Sequence, residues 1–393
     1  KLYGEEGNDI FHLDEGNNEV DGGDGIDRVD YKNYKKAEYE ELVRFYNLMQ
    51  EGILLPEKEG DKLPNIDFIQ EGVVVNLKEG KATKGKELVD ILVNIEHVTG
   101  SEFSDIITGD DKNNHIVGLN GNDKIYAGAG DDTIVAGNGE NIIYAEEGND
   151  LIIGSPGAEI IDGGEGNDSI TYRHSTHGIK VDLKTGVCSG GFAEGDKLTN
   201  IDNLEGSEFN DVIYDNNDDN LIVTNDGSDI VYLSDGNDVV FTGGNDDKVY
   251  INGKGNKFIA GGENSDLFIF NKNFQTSGKL GTIILDFELY DFNERINLSA
   301  FTDINGLRDL KIDNIIITAK EMEIPSPMQY YFWDKDKEFN FSVIKISEEQ
   351  TVSLLNIEKS DLSDDNFIFW AGAEKANDDI LQIDNSGVVH EEL

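Results

Sequence analysis

Aspartate recurs in this chain at a fixed address, the sixth place of a glycine-rich phrase of nine residues. The phrase stands most plainly at Gly163–Thr171, GGEGNDSIT. A carboxylate offers charged, hard oxygen. A glycine-rich turn adds main-chain carbonyls, because glycine takes positive φ at no steric cost. Calcium takes six to eight such oxygens at roughly 2.3–2.6 Å. The chemistry these residues imply is therefore the binding of a hard cation.

The phrase repeats without slipping. Gly100–Thr171 holds eight nonapeptides in 72 residues, Gly206–Ile259 holds six more, and Gly4–Asp30 holds three. Position eight tests the phase. It reads Phe11, Val20, Val29; Ile107, Ile116, Ile125, Ile134, Ile143, Ile152, Ile161, Ile170; then Ile213, Ile222, Val231, Val240, Val249, Phe258. All seventeen are apolar in a chain that is 37% hydrophobic, which chance does not produce. Neither a helical period nor simple alternation fits. A short strand and a tight turn in every nine residues does.

The nonapeptide G-G-x-G-x-D-x-U-x resembles that of RTX (repeats-in-toxin) proteins, a hemolysin-type family whose repeats form a calcium-binding parallel β-helix. The resemblance spans about two-thirds of the chain. It implies an all-β fold: a right-handed parallel β-roll of calcium-binding nonapeptides, with two inserts and an antiparallel β cap at the C-terminal end. In that family two nonapeptides make one coil, so turns two repeats apart stack and share calcium. Applied here, this pairs Asp9/Asp27, Asp105/Asp123, Asp132/Asp150, Asp150/Asp168, Asp211/Asp229 and Asp229/Asp247 as about six firm sites. Asp238, between Asn220 and Asn256, and Asp266 are weaker or terminal positions. The turn glycines expected to serve the metal are Gly100, Gly118, Gly121, Gly128, Gly130, Gly148, Gly163, Gly164, Gly166, Gly227, Gly236, Gly243 and Gly261.

Two inserts break the arrays, within residues 31–99 and 172–205. Their segments 73–105 and 179–211 align without a gap and return to the repeat through GSEF. The first also carries Lys35–Met49, where Tyr39, Leu42, Val43, Tyr46 and Met49 follow helical spacing, as a helix covering an open edge would. After Ile259 the phase slips by one residue, and Gly261–Ile269 closes the arrays. Ile283–Phe301 and Val352–Phe369 resemble the C-terminal region of type I secretion substrates, with Asn297 where that pattern more often has Asp. Residues 271–370 are therefore expected to cap the roll and carry the export determinant, ahead of a mobile polar tail at 371–393.

Composition narrows the function. The net charge is −48, from 32 Lys and Arg against 80 Asp and Glu. That excludes nucleic-acid binding, which needs basic surface, and opposes docking on anionic lipid. Cys188, the single cysteine, cannot make an internal disulfide. A secreted chain without disulfides needs another staple, and a metal supplies one. No apolar run approaches the ~18 residues of a membrane span, and no signal peptide is visible. Lys1 opens almost directly onto a repeat, as in a piece of a longer chain.

No HExxH, GxSxG or phosphate-loop motif is present, so no catalytic residue is expected. His174 and His177 read as polar surface, and Tyr330–Trp333 as part of a core with one exposed face. Tyrosine recurs at the outward position nine: Tyr126, Tyr144, Tyr214, Tyr232 and Tyr250. Such a ladder stiffens a flat parallel sheet, or offers a contact surface to a glycan or host ligand. The expected function is a calcium-binding module that folds on secretion and supports type I export of a larger Gram-negative toxin or adhesin. The alternatives are the same module behind a secreted protease, lipase or polysaccharide epimerase, or an adhesin using its outer face.

Overall fold

In the computed structural model, residues 1–14, 16–35, 71–84, 88–289, 293–318, 322 and 337–369 are described. The expected helix at Lys35–Met49, the aromatic run Tyr330–Trp333 and the polar tail lie outside them, save Lys35. Strands, turns and a few 3-10 turns make up the described chain, which separates into Lys1–Asn216 with Asn220–Asp229, and Asn217–Asp219 with Ile230–Leu393. No described helix is long and apolar enough to cross a membrane.

The first unit is a parallel roll. Successive nonapeptides feed opposite sheets, so each position-eight side chain meets the one two repeats away. Ile125 lies between Ile107 and Ile143 in one sheet, and Ile134 between Ile116 and Ile152 in the other. Every position-eight isoleucine from Ile107 to Ile170 is at most 1% exposed. Where position one is alanine, at Ala127, Ala136 and Ala145, it is buried as well. The core is thus a thin stripe between two sheets, and the nine-residue phase read from the sequence is the phase of the coils.

The inserts do not leave the roll. Each is a three-stranded antiparallel meander spliced into one sheet, Glu71–Asn76, Lys81–Lys84 and Leu88–Val93 in the first. Lys180–Asp182, Val187–Ser189 and Lys197–Thr199 form the second. Their outer strands pair in parallel with roll strands, Leu92 on Val20 and Leu198 on Ile161. His97–Thr99 and Asn203–Glu205 then restore the opposite sheet, with Val98 on Val29 and Leu204 on Ile170. The coil therefore resumes before GSEF, with leucine and valine in the buried place and no glycine turn to announce it.

The second unit repeats the architecture and then extends it. Its register becomes nineteen residues, Val240 on Ile259 and Val249 on Phe268. The phase shift thus precedes Phe258–Ile259 rather than following it. Thr282–Ile284 and Arg295–Asn297 add a coil in parallel, and Gln350–Leu355 with Phe367–Ile368 add another. Only then do Glu338–Ser347 and Lys311–Thr318 attach in the antiparallel sense expected of a cap. Ile284, Ile296, Leu354 and Phe367 occupy the buried place of these coils, and Phe270, Phe274 and Phe301 thicken the core with edge-on ring contacts.

Candidate metal centre

The turns owe their shape to positions two and four. In Ala127–Asp132 these are Gly128 and Gly130, with φ of +114° and +110°. Left-handed backbone at alternate residues brings carbonyls to bear on the stacked turn. A Cβ on Gly148 would collide with the Gly130 carbonyl oxygen, and one on Gly164 or Gly166 with those of Glu146 or Gly148. Leu119 and Glu146 hold the same left-handed place without being glycine, at φ of +84° and +78°. The position-one glycines have a different constraint. A Cβ on Gly100, Gly118, Gly163 or Gly261 would strike the Oδ2 of its own turn's Asp105, Asp123, Asp168 or Asp266.

The sixth-position side chains form ladders along each edge. The Asp9 amide donates to Asp27 Oδ1 at 2.8 Å, the Asn114 amide to Asp132 Oδ1 at 2.6 Å, and the Asp132 amide to Asp150 Oδ1 at 2.7 Å. The Asp150 amide donates to Asp168 Oδ1 at 2.9 Å, and the Asp123 amide to Asn141 Oδ1 at 2.8 Å. One carboxylate oxygen is thereby satisfied and the other is not. Oδ2 of Asp9, Asp27, Asp123, Asp132, Asp150 and Asp168, and Oε2 of Glu159, are buried with no hydrogen-bond partner. Burial pushes Asp123 and Glu159 up to about 8, Asp132 to about 7 and Asp150 to about 6. A native interior does not keep a row of such oxygens without a use for them.

Carboxylate oxygens orphaned beside inward carbonyls make an all-oxygen donor set, which suits a hard cation such as calcium. Among the described residues no three His, Cys, Asp or Glu side chains cluster as a metal site.

Two expected ligands are placed differently. Asp105 accepts from the Ser101 amide and hydroxyl at 2.6 and 2.7 Å and from the Val73 amide at 2.6 Å. Asp211 repeats this with Ser207 and Ile179. The GSEF serine and the Val73 or Ile179 amide of the insert thus bond both oxygens of each carboxylate, and protein groups fasten these turns at the point of re-entry. Their partners Asp123 and Asp229 still receive the Asp105 and Asp211 amides.

The sequence reading also missed acidic residues supplied by the inserts. Asp90 accepts from the Asn18 amide at 2.7 Å, Glu96 from the Asp27 amide at 3.1 Å, Asp196 from the Glu159 amide at 2.8 Å and Asp202 from the Asp168 amide at 2.8 Å. Each continues a ladder across the break. Their signal lay in the gapless alignment, which pairs Asp90 with Asp196 and Glu96 with Asp202. Buried tyrosines support one pair: Tyr31 donates to Asp90 at 3.1 Å and Tyr172 to Asp196 at 2.7 Å. In the second unit Glu294 stands where a sixth-position residue would follow Asp266, and burial raises it to about 8.

A family model described as the RTX calcium-binding nonapeptide repeat matches residues 1–29, 99–134, 135–170, 199–231 and 223–250. Over those segments the chain is similar to RTX calcium-binding repeats. Among solved structures it is similar to the AlgE6R3 subunit of the Azotobacter vinelandii mannuronan C5-epimerase, at 21% identity, covering 47% of this chain and 91% of that one with a TM-score of 0.18. No curated protein matches the chain.

The remaining candidates stand around these turns. Cys188 is buried, and its surroundings push the thiol up to about 12, mainly through burial. His174 and His177 are exposed. The position-nine tyrosines stack, Tyr126 on Tyr144 with centroids 5.3 Å apart and Tyr232 on Tyr250 at 4.6 Å.

Proposed function

We propose that this chain is a calcium-triggered folding module of a larger exported protein. The observation that carries the reading is the row of buried sixth-position oxygens without partners. Asp9, Asp27, Asp123, Asp132, Asp150 and Asp168 would give the metal one carboxylate oxygen each, and the carbonyls of turn positions two and four would give the rest. Asp229, Asp247 and Asp266, with glycines such as Gly227 and Gly243, hold the equivalent places further along the arrays. Calcium would neutralise carboxylates that otherwise repel across stacked turns.

Without metal the balance reverses. A chain of net charge −48 repels itself, and a one-residue stripe of core offsets little of the ordering entropy. Binding free energy then becomes folding free energy. Such a chain stays unfolded where calcium is scarce and folds where it is millimolar, which suits export through a type I channel from a Gram-negative cell. The parent would be a toxin or adhesin, or an enzyme carrying the module behind its catalytic domain. Far-UV circular dichroism in chelator, then in millimolar calcium, tests the core of this: coil should convert to strand. A fully folded chelated form sinks the reading. Magnesium should substitute poorly, because it demands tight octahedral geometry.

A further inference from the structure

In two turns the oxygens are already held by a cation of the protein's own. Lys257 is 1% exposed, and its Nζ donates to the carbonyls of Ser234 and Gly236 at 2.8 and 2.5 Å and to Asp238 Oδ2 at 2.6 Å. Those are positions two, four and six of the turn Leu233–Asp238, the same oxygens that elsewhere face the stacked turn. The nineteen-residue register puts Lys257 itself, not Asn256, in the sixth place above Asp238. Lys84 is also 1% exposed, and its Nζ donates to the Asp14 carbonyl at 2.5 Å and pairs with Asp90 at 3.0 Å. Asp14 is position two of the turn Leu13–Asn18, and Asp90 is the insert carboxylate that caps that turn.

We propose that Lys84 and Lys257 are resident cations, each ammonium taking the seat that calcium takes in the neighbouring RTX turns. An ammonium carries three donors and a compact charge, and burying it is costly unless oxygens surround it. Here they do. The sequence of these turns agrees independently: among the seventeen nonapeptides only LDEGNNEVD and LSDGNDVVF open on leucine. Leu13 and Leu233 are buried, at 3% and 2% exposure, in the place that eleven of the other fifteen nonapeptides give to glycine or alanine, the rest being Asp215, Thr224, Thr242 and Ile251. Lys84 fastens the first insert to the roll, and Lys257 fastens the turn where the register changes. Both are places where the nonapeptide pattern fails to build a regular stack, and a tethered ammonium orders them without drawing on dissolved metal. Asp238 is accordingly an ion-pair partner, not the calcium ligand expected of it.

The proposal rests on the calcium reading above, and its test separates the two. Calcium bound per chain is measured by equilibrium dialysis for the wild type and for Lys257→Asp, with circular dichroism verifying the fold of each. Lys257→Asp restores a stacked Asp pair and should bind one more calcium than the wild type. A folded Lys257→Asp with unchanged stoichiometry overturns the proposal, whereas a wild type that binds no calcium overturns the calcium reading instead. Should the variant not fold, amine labelling of the wild type in saturating calcium decides. Lys84 and Lys257 should resist acetylation while exposed Lys311 reacts, and labelling of either buried lysine at the Lys311 rate would show that calcium displaces it.

Discussion

A carboxylate with one oxygen bonded and the other buried alone is held in a dry site against its own solvation. Two agents can relieve it, a proton or a metal, and they compete. The raised values of Asp123, Asp132, Asp150 and Glu159, about 8, 7, 6 and 8, are caused mainly by burial. Because the metal-free fold binds these protons more tightly than the unfolded chain, its stability is greatest below the unfolded value of about 4. That contribution is lost as pH rises through 6 to 8. In chelator, residual strand signal should therefore be larger at pH 5 than at pH 8, while calcium affinity should rise over the same interval. A titration series by circular dichroism at the two pH values reads both, and affinity independent of pH would mean the ligands are not these carboxylates. Asp150 lies between Asp132 and Asp168 on its ladder. Asp150→Ala should lower bound calcium and the melting temperature, whereas Asp238→Ala should leave the calcium count unchanged and destabilise by stranding Lys257. Calorimetric titration and melting of both variants check this, and equal calcium loss would contradict the assignment.

At the scale of the element, the strand-and-turn unit was legible because two constraints repeat with it: an apolar side chain that must be buried, and a turn whose left-handed places favour glycine. Where both hold, as from Gly118 to Thr171, sequence phase and coil agree residue for residue. Where only burial holds, the coil was invisible. Val98 and Leu204 sit in the position-eight seat with Asn94 and Asn200, not glycine, at the left-handed place before them, so the inserts read as interruptions although their last strands complete coils. Lys257 was misplaced for a related reason, since one extra residue in the Ile251–Lys257 segment changes the register while leaving both Phe258 and Ile259 apolar. Asp105 and Asp211 match the motif, but the Ser101 and Ser207 hydroxyls that donate to them carry no periodic signal. The inserts yield their own prediction. Asp196 accepts from both the Glu159 amide and the buried Tyr172 hydroxyl. Asp196→Ala strands two interior donors at roughly 1–3 kcal/mol each. The calcium-loaded protein should melt several degrees lower, and an unchanged melting temperature would show that the ladder does not need the insert to bridge it.

Across the whole molecule, charge and edge exposure set the terms of folding. Forty-eight uncompensated carboxylates would be a liability in an ordinary domain, yet they suit the proposed chain that stays open until it meets calcium, and cytosolic calcium lies far below the ~10⁻⁴–10⁻³ M constants of extracellular modules. A roll that folds by stacking leaves a bare parallel edge wherever it stops. In the second unit, Phe258–Glu263 and Leu267–Phe270 would be that edge if the chain ended with the nonapeptides. Thr282–Ile284 and Arg295–Asn297 cover it, and Gln350–Leu355 and Phe367–Ile368 cover those in turn. Antiparallel pairing of Glu338–Ser347 and Lys311–Thr318 onto Gln350–Leu355 then ends the parallel order on that sheet. Deleting residues 271–393 should therefore have two separable effects. The calcium concentration at the folding midpoint should rise, because Phe268, Phe270 and Ile259 lose their neighbours and each coil must be ordered against an open edge. Secretion through a type I exporter should stop, because the region that resembles the export determinant is gone. Circular dichroism against calcium reads the first, and the fraction of protein in the culture medium reads the second. A truncated chain that folds at the wild-type midpoint would show that the added coils are not a cap, and one that is still secreted would place the export signal elsewhere in the chain.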